Sequence, residues 1–239
     1  MGSNIQLSKR LSAIGEMVTE GNRLVDVGCD HGYLPVYLVM NHRIPGAIAA
    51  DVGKGPLERA REHICRYHMQ NYIETRLCDG LSGISVGEGE TLVIAGMGGP
   101  LMEKILSDNP EVRDSFQELI LQPQSDIPHF RHFLMSNGYR ITEEKMILED
   151  GKFYPMMKVI HGEKMHISED TPYTLDEWFG GMLLERKHPV LREYLERELR
   201  IRNEILDKLK KAPDAKKRTG EIEEEKQAII AALKEYESI

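Results

Sequence analysis

Residues 25–32 read Val25-Asp26-Val27-Gly28-Cys29-Asp30-His31-Gly32, an apolar run that closes on an acidic residue and breaks into two glycines. A stretch of helical character follows over 31–40, so the local reading is strand, turn, helix. The same alternation continues downstream. Residues 47–50 form a second strand closing on Asp51, 56–69 a helix, 73–77 a third strand closing on Asp79, and 91–95 a fourth closing on Gly96. Residues 119–121 make a fifth strand and 127–136 a helix, after which 139–148 and 153–160 flank Glu149-Asp150-Gly151, a hairpin turn. Upstream, Leu7, Leu11, Ile14 and Val18 share one face of an amphipathic helix. Repeated strand–helix units require parallel strands with right-handed crossovers, and ligands then gather at the carboxyl ends of the strands. The expected fold is therefore α/β, a Rossmann-like doubly wound sheet ending in an antiparallel hairpin.

Composition changes after His161. Thr171-Pro172 introduces a short helix around Trp178, and Pro189 lies near the start of a long charged helix. Leu191, Leu195, Leu199, Arg202, Leu206 and Leu209 follow helical spacing, Ala212-Pro213-Asp214 interrupts, and Ile222, Lys226, Ile229, Leu233 and Tyr236 resume it. Two antiparallel helices along a narrow apolar seam are predicted. Arg202 and Lys226 on that seam favour a short hairpin over a long dimeric coiled coil. The expected division is a catalytic domain over 1–162 and a helical, coiled-coil-like domain over 163–239.

The 239-residue chain contains no apolar run of about 18 residues and no signal-peptide pattern in its first thirty, which predicts a soluble cytoplasmic protein. Met1-Gly2-Ser3 offers a glycine after methionine, but Gln6 stands where myristoylation needs Ser or Thr. Cys29, Cys65 and Cys78 form no CxxC or Cys/His cluster, so neither a metal site nor a disulfide framework is expected. The net charge of −8 opposes nucleic-acid binding in general, yet residues 184–218 hold 12 Lys or Arg against 7 Asp or Glu, a local +5. Residues 219–239 hold 2 against 6, a local −4.

The turn at 28–32 carries the chemistry. A dinucleotide site would read G-x-G-x-x-G, with amides of the helix N-terminus on the pyrophosphate. Here Asp30 and Tyr33 occupy the second and third glycine positions, and a carboxylate beside pyrophosphate is repelled by it. A cationic ligand suits Asp26 and Asp30 better, and S-adenosylmethionine supplies sulfonium and ammonium charges. Asp51, about 20 residues on, is placed to accept from ribose hydroxyls, with Val52 beside it, and Asp79-Gly80 to meet adenine. One strand-end aspartate is commonly a cap or turn former; three in succession form a cofactor track. Gly96-Met97-Gly98-Gly99 leaves room for a flat substrate where the methyl would be presented, and Gln122-Pro123 could complete that wall.

The chain resembles the bacterial tRNA adenine-N1 methyltransferases of the TrmK type, which act on adenine 22. The likeness is carried by Ser8-Lys9-Arg10-Leu11, the string from Asp26 through Tyr33-Leu34-Pro35, Ala50-Asp51-Val52, Asp79-Gly80-Leu81, Ala95-Gly96-Met97-Gly98-Gly99 and Leu121-Gln122-Pro123. It spans most of residues 5–160, and the helical tail is similar in kind. Asp30 stands where the general class I methyltransferase loop has glycine, a departure typical of this family. The resemblance implies a class I methyltransferase domain, S-adenosylmethionine as donor, tRNA as substrate and a helical domain that helps grip the RNA. It assigns cofactor contacts to Asp26, Gly28, His31, Gly32, Asp51, Asp79, Gly80, Gly96 and Met97, and Asp30 and Val52 join them as cofactor candidates from their places beside Asp26 and Asp51.

Candidate substrate contacts are Lys9, Arg10, Gly98, Gly99, Gln122, Arg197, Arg200 and Lys208, the basic ones as phosphate grips. No catalytic residue is fixed, with His31 and Met97 as candidates; adenine N1 has an in-plane lone pair, so attack needs no general base. An Asn-Pro-Pro-Tyr string, as in amino-group methyltransferases, is absent after the fourth strand. Other readings are a small-molecule methyltransferase whose tail is a lid or dimerisation element, a non-catalytic cofactor sensor and, more distantly, a dehydrogenase.

Overall fold

The computed structural model describes residues 5–164, 171–210 and 216–237. Seven strands form one sheet: β1 (Leu24–Val27), β2 (Ala47–Asp51), β3 (Ile73–Leu77), β4 (Thr91–Met97), β5 (Glu118–Pro123), β6 (Tyr139–Glu149) and β7 (Lys152–His161). Their order is β3-β2-β1-β4-β5-β7-β6, with β1 to β5 parallel and β7 antiparallel to both neighbours. This is the expected Rossmann-like doubly wound sheet ending in an antiparallel hairpin, and β1 lies between β2 and β4 at the switch in strand order, where ligands bind in open α/β sheets.

The central strands β1, β2, β4 and β5 are buried and largely apolar because helices cover both faces, whereas the edge strands β3 and β6 are mixed. On one face Ile14, Leu34, Leu38, Leu57 and Ile64 pack with Leu24, Ala49 and Val93; on the other Met102, Leu106, Phe130 and Leu134 pack with Val25, Ile48 and Leu92. The first face takes α1 (Lys9–Met17), α2 (Tyr33–Met40) and α3 (Lys54–Arg66). The second takes α4 (Gly99–Asp108) and α6 (Ile127–Ser136), with the short α5 (Pro110–Arg113) between them.

Boundaries shift from the sequence reading where left-handed backbone intervenes. Helix α2 begins at Tyr33 rather than at 31, because Asp30 (φ 45°) and Gly32 (φ 65°) both lie in the left-handed region. The glycine run after β4 is less a loop than a helix start: Pro100 sits in the first turn of α4, where its missing N–H costs nothing. The β6–β7 turn is the two-residue Asp150-Gly151, φ 49° and 73°, the positive-φ pair that hairpin twist favours.

Beyond β7, α7 (Leu175–Phe179), α8 (Gly181–Glu185), α9 (Pro189–Leu209) and α10 (Lys216–Glu237) follow. Leu191, Leu195, Ile229 and Ala232 form the α9–α10 seam and share an apolar cluster with Met146 of β6 and Phe153 of β7. Arg202 is held on the seam by Glu198 and by Glu225 across it. Arg131 of α6, fully buried, donates to Glu144 of β6 and to the carbonyls of Glu177 and Trp178, stitching α7 onto the sheet. The expected interruption at Ala212-Pro213-Asp214 and the Met1-Gly2-Ser3 start lie outside the described residues.

Candidate active site

At the carboxyl end of β1, Asp26 is only 6% exposed. Burial, and then the neighbouring Asp51 carboxylate, push its pKa up to about 7, while Arg10 acts in the opposite direction. Gly28 follows at φ 76°, and its amide and that of Cys29 both donate to Ala50 O of β2. A Cβ on Gly28 would lie 2.3 Å from Cε of Met97 at the end of β4, so glycine is required by conformation and by close approach. A cavity of ≈ 240 Å³ opens here, lined among others by Arg10, Asp26, Gly28, Asp30, His31 and Tyr33. The N-cap of α2, Gly32, supplies no side-chain bond to the first amides of the helix, which leaves them for an anion.

Asp51 uses Oδ1 to accept from the Gly53 amide at 2.8 Å, and its carbonyl accepts from the Cys78 amide. It is thus fixed at the edge of the cleft. Val52 (70% exposed) and Leu77 (47%) stand beside it as apolar flanks, with Asp79 exposed and Gly80 packed on Ile105 of α4. The strand-end residues named from the sequence therefore gather along one edge of the sheet.

Several side chains differ in disposition from the expectation. The exposed carboxylate of Asp30 is shared with Arg59 of α3 at 3.4 Å and lies 3.7 Å from His31. Gln122 is fully buried: its Oε1 accepts from Nη1 of Arg10 at 3.1 Å and its Nε2 donates to Pro123 O. It supports Arg10 and has no surface for a substrate. Gly98 and Gly99 face Ser125, whose Oγ and carbonyl oxygen would lie 2.9 and 2.7 Å from added Cβ atoms, so these glycines admit the loop after β5 and leave no slot of their own.

Arg10 is not a surface grip either. Its guanidinium lies over the Tyr154 ring at 5.5 Å and 3.1 Å from the Cβ position of Gly96, and the Glu149 carboxylate accepts from the Lys9 and Arg10 amides. Tyr154 and Glu149 were invisible to sequence reasoning because the hairpin of β6 and β7 brings them in from about 140 residues away. Arg197 of α9 donates to Gly151 O and stacks over Phe153, so it braces the same hairpin, whereas Lys9, Arg200 and Lys208 are exposed. A larger cleft of ≈ 1620 Å³ lies between α6, α8 and the first half of β6; being at the amino-terminal half of that strand, it is remote from the strand ends that carry the aspartates. Among the described residues no helix is long and apolar enough to cross a membrane, and no group of three or more His, Cys, Asp or Glu is placed to hold a metal.

The family model described as "Methyltransferase domain" matches residues 7–157. The tRNA (adenine(22)-N(1))-methyltransferase of Bacillus subtilis strain 168 is 31% identical over 93% of this chain and 93% of its own. The crystal structure of the B. subtilis m1A22 tRNA methyltransferase TrmK superposes with a TM-score of 0.85 at 30% identity, covering 95% of this chain and 99% of that one. TrmK of M. capricolum, solved with S-adenosyl-homocysteine, gives 0.82 at 25% identity over 96% and 98%. Streptococcus pneumoniae Sp1610, solved with S-adenosyl-L-methionine, gives 0.84 at 30% over 95% and 100%. With the aspartate-bearing strand ends, the sheet order and these full-length likenesses in agreement, the chain belongs to the tRNA (adenine(22)-N(1))-methyltransferase family.

Proposed function

We propose that this protein is a cytoplasmic enzyme that transfers the methyl group of S-adenosylmethionine to N1 of adenine 22 in tRNA. The observation that carries the reading is the pairing of a buried carboxylate, Asp26, with a guanidinium, Arg10, in one small cavity at the switch point of the sheet. Opposite charges so placed match a zwitterion, the methionine end of the cofactor. When bound, S-adenosylmethionine supplies an electrophilic methyl on a sulfonium.

The chain's own residues do the rest. Asp26 accepts from the ammonium, and Arg10, held by Gln122, pairs with the carboxylate together with the first amides of α2. Asp30, His31 and Gly32 form the wall of that turn. Asp51 presents its second carboxylate oxygen to the ribose hydroxyls, Val52 and Leu77 cover the adenine faces, and Asp79 and Gly80 meet its polar edge. Gly96 and Met97 border the methyl. Adenine N1 attacks through its in-plane lone pair, so holding it at near-attack distance is the main task, worth up to about 7–11 kcal/mol. The Watson–Crick edge must first be unpaired or splayed out of the RNA fold. Lys9, Arg200 and Lys208 contact phosphate, and residues 163–239 serve as the RNA-gripping domain on a catalytic domain of residues 1–162.

The test is transfer of labelled methyl from S-adenosylmethionine to unmodified bulk bacterial tRNA, followed by nuclease digestion. Labelled 1-methyladenosine is expected. Cofactor binding without any transfer to tRNA would overturn the proposal.

A further inference from the structure

We propose that Glu149 and Tyr154, at the tip of the β6–β7 hairpin, are positioning residues for Arg10: the carboxylate fixes the backbone at the start of α1, and the phenol ring carries the guanidinium in the cavity that it shares with Asp26. The inference rests on the reading of that cavity as the seat of the cofactor's methionine end.

Helix α1 begins short of acceptors. The first amides of a helix lack intrahelical partners, and here the N-cap Ser8 takes the Leu11 amide with its hydroxyl and the Ser12 amide with its carbonyl. The Lys9 and Arg10 amides remain. No acidic residue stands in the first turn of α1 to serve them. Glu149 does so instead, its Oε1 accepting from the Lys9 amide at 2.6 Å and its Oε2 from the Arg10 amide at 3.3 Å. One oxygen for each amide fixes two successive residues, and the helix dipole favours a carboxylate at this end.

The side chain is held by a different device. Successive residues of a strand face opposite sides, and Phe153 and Tyr154 of β7 divide accordingly. Phe153 packs in the α9–α10 cluster with Arg197 over its ring. Tyr154 packs against the core cluster on the α1 and α2 side of the sheet, and Arg10 lies over its ring at 5.5 Å. A flexible side chain with five donors is thus confined on its face by the ring and at one edge by Gln122, which accepts from Nη1 at 3.1 Å. A carboxylate in place of the ring would pair with the guanidinium, neutralise it and occupy donors that a ligand needs. An aromatic face attracts the cation through its quadrupole and leaves the in-plane donors alone. Gln122 and Tyr154 are both neutral, so Arg10 is held in the cavity with its charge intact for an anionic group.

The experiment measures S-adenosylhomocysteine affinity by titration calorimetry, and steady-state constants for cofactor and tRNA, in the full-length protein and its variants. Tyr154→Phe keeps the ring face and should bind within about twofold of the unaltered protein. Tyr154→Leu keeps apolar volume and loses the face; affinity should fall about 3–10-fold, the range of a partly desolvated cation–π contact, and the cofactor KM should rise to match while kcat stays within about twofold. Glu149→Ala, a change at a hairpin turn that leaves the core untouched, should cost about 2–5-fold. In an Arg10→Ala chain, Tyr154→Leu and Glu149→Ala should each add less than about twofold, because their effect runs through Arg10. Full losses from both substitutions in the Arg10→Ala chain would show a packing role and overturn the inference. Equal losses in Tyr154→Phe and Tyr154→Leu, or unchanged affinity in both Tyr154→Leu and Glu149→Ala, would overturn it as well. Normal affinity in Arg10→Ala itself would bring down the reading of the cavity on which the inference rests, so the two failures are told apart.

Discussion

Nη1 of Arg10 donates to Oε1 of Gln122 across 3.1 Å, joining the first helix of the chain to the end of its fifth strand under the floor of the cleft. The bond accounts for a fully buried glutamine at a strand end, and it turns Arg10 away from the surface and toward Asp26. Arg10→Ala should weaken S-adenosylhomocysteine binding by about 10- to 100-fold, the range of a charge-assisted hydrogen bond. Gln122→Met, which keeps the volume and removes the acceptor, should cost less, about tenfold. Calorimetric titration of both variants checks this. If Arg10→Ala bound the cofactor product normally and lost tRNA affinity instead, Arg10 would revert to an RNA contact.

Gly28 and Met97 are opposed across neighbouring strand ends. Gly28→Ala would have to hold φ near 76° and displace the Met97 methyl from 2.3 Å. The left-handed backbone alone costs roughly 1–2 kcal/mol for a side-chain-bearing residue. The variant should fold with a lowered Tm and a larger loss in cofactor affinity, and Met97→Ala in the same chain should return part of the affinity and little of the stability. A double variant with no recovery would show that strain, not the Met97 contact, is responsible.

The parallel sheet was legible because β1, β2 and β4 are apolar runs that close on or beside Asp or Gly, and helices on both faces make such runs unavoidable in the central strands. The gathering of the acidic residues was legible for the same reason: Asp26, Asp51 and Asp79 sit at or just past strand ends, so topology alone brings them to one side. What sequence could not supply was which way a side chain turns there. Asp30 reads as a cofactor carboxylate until Arg59, a helix away, is seen to share it. Gly98 and Gly99 read as open space until Ser125 fills it, and Gln122 reads as a substrate wall until Arg10 arrives from residue 10. These are long-range contacts, and no local spacing encodes them.

Asp26 gives a pH dependence with a definite sign. Its carboxyl titrates near 7 in the folded protein, above its ordinary value, through burial and the Asp51 charge. The folded chain therefore binds a proton that the unfolded chain has released between about pH 4 and 7, and this contribution to stability is lost as pH rises through 7. A cationic ligand prefers the ionised form. Cofactor affinity should thus climb by up to about tenfold per pH unit below 7 and level off above it, while thermal stability of the free protein moves the other way. Asp26→Asn should remove both slopes. Retention of the affinity slope in that variant would assign it to another group.

The basic stretch of α9 is divided by its contacts. Arg197 is committed to the Gly151 carbonyl and the Phe153 ring, so its charge reversal should loosen the junction between α9 and the β6–β7 hairpin and lower Tm. Arg200 and Lys208 are exposed on the same helix. Reversing both should leave Tm within a few degrees and weaken tRNA binding, because each phosphate contact releases about 0.7–0.9 of a counterion. The slope of log affinity against log salt should become shallower by about 1–2, read from tRNA titrations at several salt concentrations. The hairpin that Arg197 braces also carries Glu149, which holds the start of α1 beside the cavity at Asp26, so α9 and that cavity meet the same structural element. An unchanged salt slope in the double reversal would move the RNA surface off α9 and onto the α1 side of that hairpin, where Lys9 is exposed.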